Sequence, residues 1–99
     1  MANKEQILRF LQEKKGELFS DYQLIKLGLF GSFARGEETE ESDIDLIVEF
    51  EPNTDNLSEK KHYIKSLVEK RFNRDVDICR EKYIKPYFKS HILASTIYV

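Results

Sequence analysis

A single cysteine, Cys79, is all the sulfur chemistry that this chain carries in the way of thiols, so an internal disulfide is excluded. A reduced side chain packed in a strand is expected instead, in keeping with a cytoplasmic protein. No apolar run approaches the roughly 20 residues that a membrane span needs, and the N-terminal residues show no secretory signal pattern. Contact with a membrane is therefore not expected. The two histidines, His62 and His91, have no partners at zinc-ligand spacing. No stripe of basic residues alternates with aromatics, which argues against direct nucleic-acid binding. Repeats, linkers and low-complexity segments are also missing. Residues 1–99 thus read as a single domain, and 40% apolar with 34% charged residues describes a globular one.

The charge that is present is unevenly spread. The formal net charge is −2, yet Glu37, Glu38, Glu40, Glu41, Asp43, Asp45, Glu49 and Glu51 follow one another with no lysine or arginine between them. Beyond Glu59 the balance turns basic, from Lys60 through Lys89. The glutamate run before Asp43 reads as a solvated loop, because attraction of a cation by exposed charges is largely screened at physiological salt.

Hydrophobic periodicity sets out the elements. Ile7, Leu8 and Leu11 fall at helical spacing, with Gly16 placed to end or kink that helix. Leu27, Leu29 and Phe30 form an apolar run ahead of Gly31, and DIDLIVEF forms a second one. Pro52 and Asn53 mark the loop that follows. Asn56 with Glu59 has the spacing of a capping box, in front of the stripe Tyr63, Ile64, Leu67, Val68 and Phe72. RDVDIC reads as a short strand, and Pro86 suits the first turn of a last helix with Tyr87, Phe88, Ile92 and Leu93. The tyrosines at 63, 83, 87 and 98 are assigned to core or interface rather than to chemistry. The order helix, strand, turn-helix, strand, helix, strand, helix predicts an α/β domain on a small mixed sheet.

The chemistry concentrates between Gly31 and Asp45. Gly31-Ser32 follows the first strand, and Asp43 and Asp45 open the second with one residue between them. Alternate strand residues point to opposite faces. Ile44, Leu46, Val48 and Phe50 therefore share one face, and Asp43, Asp45, Ile47 and Glu49 the other. Like charges held that close raise each other's pKa. A bound cation removes the conflict, and hard oxygen ligands suit magnesium. A turn with exposed amides suits phosphate. Together these features point to a site for a metal-bound nucleoside triphosphate.

A third carboxylate has the same parity. With Val76 and Ile78 facing the core, Asp77 comes to the face of Asp43 and Asp45, within the roughly 5 Å that separates neighbouring strands. Asp75 shares the parity but lies earlier. A competing role for Asp77 is an ion pair with Arg74 or Arg80. Arg35 follows the Gly-Ser turn, where it could grip phosphate or pair with the neighbouring glutamates, and both roles stay open.

Gly31-Ser32, the Asp43-x-Asp45 pair and the later Asp77 together resemble the signature of the minimal nucleotidyltransferases of the DNA polymerase beta superfamily, in the branch that serves as antitoxin to HEPN toxins. The SFARGE segment and the KPYFKSHILASTIYV ending are similar to what such proteins carry, so the resemblance spans about Leu24 to Val99. It implies the polymerase-beta-like nucleotidyltransferase fold and transfer of AMP from ATP to a hydroxyl, a tyrosine of a HEPN ribonuclease toxin. Two Mg2+ ions would be held by Asp43, Asp45 and Asp77, these three being the catalytic residues, with Gly31, Ser32 and Arg35 on the nucleotide. The R-x4-H-x-Y signature of the toxin does not occur here, so the toxin would be another chain in a hetero-oligomer. Two alternatives are an inactive antitoxin that works by binding alone and a small-molecule nucleotidyltransferase.

Overall fold

The computed structural model describes residues 2–99. Its first helix, α1 (Lys4–Asp21), starts where the Asn3 side chain accepts a hydrogen bond from the Gln6 amide at 2.9 Å. It continues through Gly16, so of the two effects expected of that glycine the helix end does not occur. A mid-helix glycine costs about 1 kcal/mol relative to alanine. The buried stripe Ile7, Phe10, Leu11 and Leu18, which continues on both sides of Gly16, outweighs that cost. The helix stops at Tyr22, whose amide bonds back to the Leu18 carbonyl at 3.2 Å.

Strand β1 (Leu24–Phe30) leads into a five-residue helix, α2 (Gly31–Arg35). Strand β2 (Ile44–Phe50), helix α3 (Leu57–Phe72) and strand β3 (Val76–Arg80) follow. A 3-10 turn at Glu81–Tyr83 precedes α4 (Pro86–Ser95), and β4 (Ile97–Tyr98) closes the order. The expected α/β class and mixed sheet are present. The strands lie in the order β3-β2-β1-β4, with β2 and β3 parallel through the α3 crossover and the other pairs antiparallel. Pro86 occupies the first turn of α4 as anticipated.

One irregularity sets the parity of β1. Leu24 faces Phe50, but Lys26 faces Glu49, so an extra residue bulges between them. That shift lets Leu24, Leu27 and Leu29 all reach the core although their spacing is not strictly alternate. With Ile44, Leu46, Val48 and Phe50 of β2 and Val76 of β3, they make one sheet face. Ile7 and Leu11 of α1 and Ile64 and Val68 of α3 belong to the same buried cluster. Each such side chain contributes roughly 1.5–3 kcal/mol on burial.

Two local expectations need correction. Asn56 precedes α3 but sits in the left-handed region, at φ 58° and ψ 42°, and its side chain makes no capping bond. The capping box requires an extended N-cap residue, so the Asn56–Glu59 pair does not form one. The other is the element order, which ends not on the last helix but on a short fourth strand, β4. Gly28 makes it possible: a Cβ there would stand 2.9 Å from the Thr96 methyl and 3.2 Å from the Ile97 carbonyl oxygen.

Candidate active site

Four elements converge at one end of the sheet. Strand β1 delivers Phe30, extended, directly into Gly31 at φ 76°. An L side chain is strained at that φ, and a Cβ on Gly31 would overlap the Asp45 carboxylate. Gly31 is therefore required twice over, by its backbone and by its neighbour. The short helix it opens is anchored by buried Phe33 and Ala34. It ends in a Schellman motif at left-handed Gly36, where Gly36 donates to the Phe33 carbonyl and Glu37 to the Ser32 carbonyl. Ser32 is half-buried at its start.

The strand register places the carboxylates. Asp45 stands opposite Phe30 on β1 and is the register partner of Asp77 on β3. Asp43 lies one residue before β2, exposed, and the register carried one step back sets it beside Asp75. The face that the alternation assigned to Asp43, Asp45 and Asp77 is the one they occupy. Ile47, which shares that face, is fully buried. A surface hollow of about 620 Å³ takes in only Asp43 of these three carboxylates. Its lining includes Asp43, Asp75, Glu69 and Arg74, and neither Asp45 nor Asp77.

Electrostatics single out Asp45. Burial, then the charges of Asp77 and Asp43, push its pKa up to about 6, against a smaller opposing pull from Arg35. Such a carboxylate is short of positive charge. Neither arginine that could have neutralised Asp77 does so. Arg80 gives both Nε and Nη2 to Glu49, at 2.9 and 2.6 Å. Burial works against ionised Glu49, but Arg80 and the Phe50 and Lys82 amides hold its pKa below the usual value. Arg74 points its guanidinium at backbone carbonyls of the 39–42 loop. Arg35 bonds Glu37 at 3.0 Å, which is the glutamate pairing of the two roles left open for it, and it also acts on Asp45 through its charge.

The donor chemistry fits magnesium. Among the described residues no three His, Cys, Asp or Glu side chains form a cage able to hold a metal on their own. Magnesium does not ask for one, since it takes one or two carboxylates and completes its shell with water and phosphate oxygens. Asp43 and Asp45, with Asp77 alongside, supply hard anionic oxygens at the place where negative charge is in excess.

With this geometry in hand, the comparisons with known proteins define the class. Residues 4–99 match the model of the nucleotidyltransferase domain, and the chain belongs to that family. Within it the likeness is to small protein adenylyltransferases. A candidate protein adenylyltransferase of Methanocaldococcus jannaschii is 42% identical over 101 residues, covering 100% of both chains. The protein adenylyltransferase MntA of Thermococcus cleftensis is 32% identical, covering 100% of this chain and 98% of its own. Among solved structures, a candidate minimal nucleotidyltransferase superposes with a TM-score of 0.77 at 30% identity, over 97% of this chain and 95% of its own. A chain in the structure of a tri-AMPylated Shewanella oneidensis HEPN toxin in complex with an MNT antitoxin shares the fold. It has a TM-score of 0.58 at 18% identity, over 91% of this chain and 69% of the solved chain. The chain is a nucleotidyltransferase.

Proposed function

We propose that this nucleotidyltransferase moves AMP from Mg-ATP onto a tyrosine hydroxyl of a HEPN-domain toxin and thereby acts as its antitoxin in the cytoplasm. The observation that carries the proposal is the stack of Gly31 on Asp45 beside Asp77 at the open end of the sheet. In the reaction the acceptor oxygen forms a bond to the α-phosphorus, the bond to pyrophosphate breaks, and the hydroxyl proton leaves. Gly31 lets the triphosphate approach the backbone, and Ser32 donates its amide and hydroxyl. Asp43 and Asp45 would hold Mg2+, with two ions expected, and Asp77 would join them on the acceptor side and help to draw off the proton. The metal's contribution when bound is to lower the pKa of the attacking hydroxyl and to stabilise the leaving oxygen. Arg35, exposed at the end of α2, reaches for phosphate once it releases Glu37. The toxin-bound relative of the same fold supports a protein acceptor, and in this reading residues 1–99 act as one domain that borrows the acceptor surface from its partner.

Co-expression with a cognate HEPN toxin tests the proposal. The wild type should leave a toxin heavier by one or more AMP units in intact-mass spectra. The Asp43→Ala, Asp45→Ala double variant should leave it unmodified and the cells unprotected. Protection by that variant without any mass shift would mean neutralisation by binding alone.

A further inference from the structure

Asp45 and Asp77 are held by the strand ladder, but Asp43 is exposed and stands outside it. Its position is nonetheless fixed from both sides. The peptide before it is gripped by Arg74, whose Nη1 donates to the Ser42 carbonyl at 2.7 Å and to the Thr39 and Glu40 carbonyls at 3.1 Å each. The peptide after it is gripped by the next residue, since the Ile44 amide donates to the Asp75 carbonyl at 2.9 Å. The loop itself is tied, with Thr39 N bonded to Ser42 Oγ at 2.8 Å and Ser42 N to the Thr39 carbonyl at 3.1 Å. The Arg74 guanidinium also lies 5.1 Å from the ring centroid of buried Phe33 in α2. One side chain at the α3–β3 junction thus joins the Gly-Ser helix, the loop that carries Asp43 and the strand that carries Asp77.

From this arrangement we infer that Arg74 is a positioning residue of the transferase site, acting through Asp43 on the bound divalent cation. The inference rests on the metal role proposed for Asp43. A guanidinium suits the task because it spreads donors across a plane that can also stack on an aromatic ring, whereas a lysine offers a point charge. Residues that orient metal ligands in this way typically alter metal affinity by about 10–100-fold when removed.

Titrating Mn2+ by electron paramagnetic resonance, in the presence of a non-hydrolysable ATP analogue, reads the effect without turnover. Arg74→Ala should weaken Mn2+ by about 10–100-fold, with Arg74→Lys between it and the wild type. Asp43→Asn is the control for the underlying site. In the Asp43→Asn background Arg74→Ala should add nothing, because both act through one carboxylate. If Asp43→Asn weakens Mn2+ and Arg74→Ala only lowers the melting temperature, Arg74 is structural and the inference is overturned while the site stands. Additive losses in the double variant overturn it too. An unchanged affinity in Asp43→Asn removes the metal role of Asp43 and the inference with it. Should Arg74→Ala not fold, Arg74→Lys alone and combined with Asp43→Asn decides by the same criteria.

Discussion

The two faces of β2 divide the labour of the molecule residue by residue. Ile44, Leu46, Val48 and Phe50 point into the aliphatic core and are all buried. Asp45 and Glu49, between them, point the other way and are only half-buried. Glu49 is answered by Arg80, but Asp45 meets two more carboxylates and a glycine with no room to spare. The first face lowers the energy of the fold. The second keeps an electrostatic conflict that a proton or a bound cation relieves, so affinity and stability are separable along a single strand.

Substitutions can break that separation, and the largest effect should come from the charged face. Asp45→Ala should abolish nucleotidyl transfer in an assay with labelled ATP and acceptor, while the protein stays folded by circular dichroism. On the core face, Leu46→Ala should lower unfolding free energy by about 2–5 kcal/mol in urea titrations. The fraction that remains folded should bind Mg-ATP as the wild type does. A comparable loss of affinity there would show that the two faces are coupled.

Smaller changes sharpen the comparison. Asp77→Asn should reduce transfer by about 10²–10⁴-fold while changing ATP affinity, by calorimetry, much less. Asp75→Asn should do less to transfer, since Asp75 pairs in register with Asp43 rather than Asp45. The smallest effect concerns pH. A carboxylate whose pKa is raised on folding binds its proton more tightly in the folded state, so ionisation opposes folding. The metal-free protein should lose stability as pH rises from about 4 to above 6, the window set by Asp45. Asp45→Asn should flatten that slope in thermal melts across the range, and saturating Mg-ATP should offset it in the wild type.

The alternation of DIDLIVEF made the division of faces legible in the sequence, because period two is a local property of the chain. So was the Gly31-Ser32 turn, marked by the apolar run before it. What escaped depends on distant partners. The bulge at Leu24–Lys26 exists only through its register with β2. Strand β4 is two residues long and held by the space that Gly28 leaves. Asn56 carries the right residue type for a cap, but its left-handed backbone prevents the bond. Sequence alone offers Arg74, along with Arg80, as a counter-ion for Asp77. The actual acceptors of Arg74 are loop carbonyls more than thirty residues away in sequence, which no local pattern encodes.

Gly31 and Asp45 also constrain how this site can change over generations. An alanine at 31 collides with the Asp45 carboxylate, so it is excluded for as long as the carboxylate is there. Once Asp45 has been cut back to alanine the collision disappears, leaving only the backbone penalty of roughly 1–2 kcal/mol for a left-handed residue. A lineage that loses the carboxylate is then free to lose the glycine as well. From that point restoring Asp45 alone would meet the new methyl group, and recovery would need both reversions together. The contact acts as a ratchet: active chains hold the pair intact, and a chain that has drifted at both positions has abandoned the chemistry.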